Sequence, residues 1–176
     1  SVRRKYGIPE NTTIFLYGGN LGKPQGITFI ESVIEAFEEI KDVFLLIVGS
    51  GTEFSRLSKL IEKKNFKKIM IKASLPKQQY DSIVRIADVG LIFLDHRFTI
   101  PNFPSRLLSY LENSLPVISA TDASTDIGAI SENAKFGLSC RSDNINDFIE
   151  KVIFMRDNPD ERILMGKSGY TFITEN

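Results

Sequence analysis

Apolar positions along this chain alternate between two spacings, short continuous runs and three- or four-residue steps. Thr13-Ile14-Phe15-Leu16-Tyr17 is a β-branched and aromatic run that stops at Gly18-Gly19-Asn20, as a strand ending in a tight loop does. From Gln25 the period changes. Ile30, Val33, Ile34, Phe37 and Ile40 form one face of an amphipathic helix, and Glu31, Glu35, Glu38 and Glu39 fall on its solvated side. Val43 to Val48 is apolar throughout, the pattern of a strand covered on both faces, and Gly49-Ser50-Gly51 ends it. Phe54, Leu57, Leu60 and Ile61 mark the next helix, and Ile69-Met70-Ile71 a short strand.

The alternation persists to the end of the chain. Pro76 suits a first helical turn, and Tyr80, Ile83, Val84 and Ala87 supply that helix's apolar face. Val89 to Leu94 is a buried strand, Asp95 to Pro104 an irregular loop, and Leu107, Leu108 and Leu111 the face of the following helix. Pro116 to Ala120 and Gly137 to Cys140 read as strands. Ile145, Phe148, Ile149, Val152 and Ile153 form a further helix, and Pro159 opens a last one. Such alternation predicts an α/β, Rossmann-like parallel sheet of about six strands with helices on both faces. Ligands of such sheets bind at the carboxyl ends of the strands, near the switch in strand order. That rule selects five loops: Gly18 to Gly26, Gly49 to Glu53, Ala73 to Pro76, Asp95 to Ser105, and Thr121 to Asp126.

Composition narrows the function. The 176 residues make one domain, 42% hydrophobic and 25% charged, with zero formal net charge. A dedicated nucleic-acid binder needs a basic surplus, so nucleic acid is not an expected partner. Cys140 is the single cysteine and His96 the single histidine, too few for a zinc cluster. A lone cysteine forms no internal disulfide and fits a cytoplasmic protein. No apolar run reaches the roughly 18–20 residues that span a bilayer. Ser1 to Tyr6 is basic with no apolar stretch after it, and reads as a cut inside a linker rather than a signal peptide.

Three loops hold candidate chemistry. Gly18-Gly19-Asn20-Leu21-Gly22-Lys23-Pro24-Gln25-Gly26 joins a strand to a helix, where backbone amides and the helix terminus favour a phosphate. A plain connecting turn reads equally well, because neither a Walker loop nor the full dinucleotide spacing is present. In Asn102-Phe103-Pro104-Ser105-Arg106, Ser105 suits a helix cap. Arg106 in the first turn opposes the helix dipole and gains most when an anion shares that terminus. The third loop, Val48 to Glu53, serves as a connecting turn or a ligand contact. His96, beside Asp95 and Arg97, leaves a catalytic role open, but no base–nucleophile pair can be built around it; Glu112 and Asp122 read as solvated or capping acids and Cys140 as a packed residue.

In this order and spacing, the segments resemble the C-terminal domain of family 4, GT-B-fold retaining glycosyltransferases. The likeness covers nearly the whole chain. Arg4 to Pro9 resembles the passage from the interdomain linker; Leu16 to Leu21 with Gln25-Gly26, the first glycine loop. Leu46 to Gly51, Ile86 to Leu91, Leu115 to Ser119 and Met165-Gly166 match later segments. Bacterial surface-polysaccharide sugar transferases with Asn and Gln-Gly in the first loop and Pro-Ser-Lys at the later helix are most similar; Pro104-Ser105-Arg106 has Arg for Lys. There are departures. Asn20 and Gln25 stand where many members carry Arg and Lys. Ser109 and the neighbourhood of Pro101 stand where two glutamates are usual.

The resemblance implies a donor-binding domain that moves a sugar from a nucleotide diphosphate sugar to a lipid- or polysaccharide-linked acceptor. It implies no cofactor and no essential metal, the nucleotide diphosphate sugar being a substrate. It implies a separate N-terminal acceptor domain of the same chain, and peripheral contact with the inner face of the cell membrane through that domain. Gly18, Gly19, Asn20, Lys23, Gln25, Ser105 and Arg106 would hold the diphosphate, and Asn102, Phe103 and Pro104 the donor sugar. Ala73, Ser74, Leu75 and Ser109 would meet the base and ribose, with Tyr80 serving either the base or the core. The missing glutamates leave open a non-catalytic nucleotide-sugar-binding or scaffold domain.

Overall fold

Every strand pairing in the computed structural model is parallel, and the six strands run in the order β3-β2-β1-β4-β5-β6. The structure describes residues 1–22, 26–94, 105–121 and 127–175, with residue 105 by its backbone alone. The strands are β1 Thr13–Gly18, β2 Val43–Val48, β3 Ile69–Lys72, β4 Val89–Phe93, β5 Val117–Thr121 and β6 Gly137–Arg141. The helices among the described residues are α1 Val2–Lys5, α2 Ile27–Glu39, α3 Phe54–Lys63, α4 Lys77–Ile86, α5 Ser105–Glu112, α6 Ile127–Asn133, α7 Ile145–Asp157 and α8 Pro159–Glu175. The doubly wound sheet expected from the alternation is the sheet observed.

Side chains of a strand point alternately to opposite faces, and the two faces carry two cores. Phe15, Tyr17, Leu45, Ile47, Leu91 and Phe93 pack on one side under α2, α3 and α7. Ile14, Leu16, Leu46, Val48 and Ile92 pack on the other under α4, α5 and part of α8. Strands β1, β2, β4 and β5 are buried along their whole length, which explains their unbroken apolar runs. The chain winds outward from β1 to β3, then returns to place β4 on the other side of β1. The switch in strand order therefore lies between β1 and β4. Asp88 fixes the start of that seam, its carboxylate accepting the Ile14 amide at 2.8 Å and lying 3.7 Å from Arg3.

Three local expectations are corrected. Pro76 is the residue before α4, with ψ 149°, so the helix starts at Lys77 rather than at the proline. Leu108 is 52% exposed, and Tyr110 takes its place beside Leu107 and Leu111 in the core. Residues 127–133 fold as α6 between β5 and β6, a helix the periodicity did not announce. Its apolar pair Ile127 and Ile130 is too short a pattern to stand out.

Candidate functional site

The loop after β1 is bound edge to edge to the loop after β2. The Gly19 amide donates to the Val48 carbonyl at 3.0 Å, and the Leu21 amide to the Ser50 carbonyl at 2.9 Å. The Glu53 amide returns a bond to the Leu21 carbonyl at 3.0 Å. This pairing requires glycine at 49, because a Cβ there would collide with the Gly19 carbonyl. The Gly49-Ser50-Gly51 turn thus braces the first loop. Ser74 continues the chain of contacts with a hydroxyl 3.1 Å from that of Ser50, linking the loops after β2 and β3.

Three tyrosines close around the end of β1. Tyr110 on α5 is fully buried. Its hydroxyl accepts the Gly18 amide at 3.0 Å and offers its proton to the Leu16 and Leu91 carbonyls at 3.1 and 3.0 Å. Tyr17 donates to the Asn20 carbonyl at 2.7 Å and stacks on Phe93. Tyr80 on α4 lies so close to Gly18 that a Cβ there would strike the Tyr80 hydroxyl. That hydroxyl is buried and makes no hydrogen bond of regular geometry among the described residues, although Arg106 is near enough to act on it as a donor. The Arg106 guanidinium lies over the Tyr80 ring, 4.6 Å from its centroid. Among the described residues no carboxylate is within ion-pair distance of Arg106. Burial raises the pKa of all three tyrosines, and Arg106 works against the shift in each, by its positive charge and, at Tyr80, as a hydrogen-bond donor as well.

A cleft of about 540 Å³ opens between α4 and α5. Its floor is Val48, Gly49, Ser74 and Leu75, at the carboxyl ends of β2 and β3. One wall is the face of α4 bearing Lys77, Tyr80, Asp81 and Arg85; the other is the face of α5 bearing Arg106, Ser109 and Glu112, with Asn113 just past its end. The steps of three and four along both walls are those of a single helix face. Lys77 pairs with Asp81 at 3.0 Å at the rim. Concave space at a sheet's carboxyl edge, with a guanidinium in its wall that has no ion-pair partner among the described residues, has the makings of an anion site.

Of the residues expected from the sequence, Ser74, Leu75, Tyr80, Ser109 and Arg106 line this one cleft, Gly18 and Gly19 adjoin it through Tyr80 and Arg106, and Asn20 follows them in the same loop. Ala73 is exposed beside the cleft and does not line it. Lys23, Gln25, Asn102, Phe103, Pro104 and the side chain of Ser105 lie outside the described residues. The expectation for the first loop needs correction: the Gly18 and Gly19 amides are engaged by Tyr110 and Val48, so neither is free for a phosphate. The Asn20 amide is the one between residues 18 and 21 with no partner among the described residues. Tyr80 is 7% exposed beneath Arg106, not an open platform for a base. Sequence reasoning missed Lys77, Asp81, Arg85, Glu112 and Asn113 as wall residues. Their spacing held the signal, since Glu112 is one turn beyond Ser109.

Among the described residues no helix is long and apolar enough to cross a membrane. The model of the family described as glycosyl transferases, group 1, matches residues 1–172. The chain is 28% identical over 137 residues to the putative colanic acid biosynthesis glycosyl transferase WcaI of Escherichia coli (strain K12). That match covers 75% of this chain and 32% of WcaI, so the chain spans about a third of that relative's length. Among solved structures, a variant of TarM from S. aureus, in complex with fondaparinux, alpha-GlcNAc-glycerol and UDP, superposes with a TM-score of 0.75 at 18% identity. It covers 96% of this chain and 34% of that one. The C-terminal domain of a group 1 family glycosyl transferase, LpcC, from Francisella tularensis superposes with a TM-score of 0.72 at 18% identity. There the coverage is 98% of this chain and 89% of that one.

Proposed function

The chain belongs to the group 1 glycosyl transferases, and on that premise we propose that it is the donor-binding domain of a retaining enzyme. The enzyme moves a sugar from a nucleotide diphosphate sugar to a lipid- or polysaccharide-linked acceptor. The observation that carries this reading is the Arg106 guanidinium, held without a carboxylate partner among the described residues, beside the Gly18–Gly19 turn. A planar guanidinium fork suits two phosphate oxygens. The N-terminus of α5 adds backbone amides and partial positive charge to the same place. Together they stabilise the diphosphate as it departs, and the reading calls for no metal ion.

In this reading the nucleotide lies along the cleft. The diphosphate faces Arg106, Ser105 and the Asn20 amide, with Lys23 and Gln25 from the same loop. The base lies over Ala73, Ser74 and Leu75, and Asn102, Phe103 and Pro104 face the sugar. The ribose falls beside Ser109, where Glu112 is the carboxylate on the same wall. The solved C-terminal domain of LpcC and the one-third coverage of WcaI support an N-terminal acceptor domain elsewhere in the longer protein. Peripheral membrane contact, where it occurs, belongs to that domain. A non-catalytic nucleotide-sugar-binding role is favoured by one observation, Ser109 in place of a glutamate. Donor turnover by the longer protein excludes it.

The test is titration of UDP, GDP, ADP and dTDP, with their nucleosides, against wild type and Arg106→Ala. A charge-assisted hydrogen bond contributes about 1.5–3 kcal/mol. Loss of Arg106 should therefore weaken diphosphate binding by about ten- to hundredfold and leave nucleoside binding nearly unchanged. Equal loss for both ligand types, or none for either, removes Arg106 from the site.

A further inference from the structure

An exposed arginine with no ion pair ordinarily samples many rotamers, and fixing its fork on an anion costs that freedom. Arg106 is such an arginine by exposure, yet it is laid across an aromatic face. The face is itself nearly buried. Tyr80 is 7% exposed, its hydroxyl rests against Gly18, and that hydroxyl makes no hydrogen bond of regular geometry among the described residues, Arg106 being near enough to act on it as a donor. What the ring presents to the cleft is a fixed plane under the guanidinium. The Arg106 Cγ also runs past Gly19, where a Cβ would stand 3.6 Å away. The Gly18–Gly19 turn and the Tyr80 ring thus both lie against the Arg106 side chain.

We propose that Tyr80 is a positioning residue: its ring holds the Arg106 guanidinium ready for the donor diphosphate before the donor arrives. The inference rests on the diphosphate reading of Arg106 and adds how that arginine is aimed. It also reassigns Tyr80, whose exposed surface is taken by the guanidinium, from the base to the arginine. Cation–π attraction strengthens as water is excluded. Tyr80 lies in the part of the cleft nearest the core, and its interaction reaches the phosphate only through Arg106.

Inorganic pyrophosphate is the probe, because it lacks a base and ribose. It is titrated against wild type, Arg106→Ala, Tyr80→Phe and Tyr80→Leu, with the Arg106 Nε–H resonance followed by NMR. Tyr80→Phe keeps the ring and should bind within about twofold of wild type; Tyr80→Leu should bind about three- to thirtyfold more weakly. The Arg106 Nε–H signal of the free wild-type chain should be shifted by the ring current and more ordered than that of exposed Arg85. Tyr80→Leu should lose both properties and Tyr80→Phe keep them. A Tyr80→Leu chain that binds as wild type overturns the proposal while leaving Arg106 in place. So does an Arg106 signal in free wild type as mobile as that of Arg85, a result that stands even where Tyr80→Leu does not fold. Pyrophosphate binding that Arg106→Ala leaves unchanged overturns the diphosphate reading, and the role of Tyr80 with it.

Discussion

The hydroxyl of Tyr110 accepts the backbone amide of Gly18 at 3.0 Å, joining α5 to the last residue of β1 at the switch in strand order. The same hydroxyl offers its proton to carbonyls of β1 and β4, so one side chain satisfies polar groups of both strands. Room for the ring comes from Gly90 on β4, where a Cβ would overlap it. Tyr110→Phe strands the Gly18 amide in a dry interior. The expected cost is about 1–3 kcal/mol, a fall of several degrees in Tm for a domain of this size. Thermal unfolding of the variant beside wild type measures it, and an unchanged Tm shows that the seam does not depend on this hydroxyl.

Gly49 is expected to tolerate no side chain. In Gly49→Ala the new methyl meets the Gly19 carbonyl, a backbone atom that moves only if the first loop separates from β2. Overpacking of this kind costs about 1–3 kcal/mol or more. The displaced loop should also weaken nucleoside diphosphate binding. Calorimetry and UDP titration on one sample read both effects. Full stability with wild-type affinity would show that the two loops are not coupled.

Glu112 should act on the nucleoside end of the ligand. It shares a wall with Ser109 and has no ion-pair partner among the described residues. Glu112→Gln replaces charge-assisted hydrogen bonds to a ribose diol with neutral ones of roughly half the strength. UDP binding should weaken by up to about tenfold, whereas pyrophosphate binding should stay level or tighten as a negative charge leaves the cleft. Parallel titrations decide it. Equal weakening for both ligands would place Glu112 outside the ribose contact.

Stability should fall on the alkaline side. Burial pushes the Cys140 thiol from 9.0 up to about 12 and raises Tyr17, Tyr80 and Tyr110 above 10.0. Above pH 9 the unfolded chain releases these protons while the folded chain keeps them, so the unfolded state binds fewer protons and stability declines with rising pH. The contribution is complete below the unfolded values and is lost as pH climbs through the folded ones. Tm measured from about pH 7 to 11 should be level at first and drop beyond about pH 9. Cys140 should likewise react slowly with thiol reagents at neutral pH until the chain is unfolded, since the thiolate is the reactive form.

The sequence by itself determined the architecture, because helical and strand periods are local. The unbroken run Val43 to Val48 and the stepped face Ile30, Val33, Ile34, Phe37 each state their element without reference to the rest of the chain. It also singled out Arg106, since a cation in the first turn of a helix contradicts a local electrostatic preference. Seven-residue α6 went unread for the same reason, its pattern being too short to repeat. What surrounds Arg106 was decided only in three dimensions. Gly18 and Tyr110 are 92 residues apart, and they meet because β4 returns to lie beside β1. The engagement of the Gly19 amide by Val48 and the facing of α4 against α5 follow from that same strand order. The placing of Tyr80 under the guanidinium follows from it as well. Periodicity records which way a side chain points relative to its own backbone; which partner stands there depends on how distant elements are stacked.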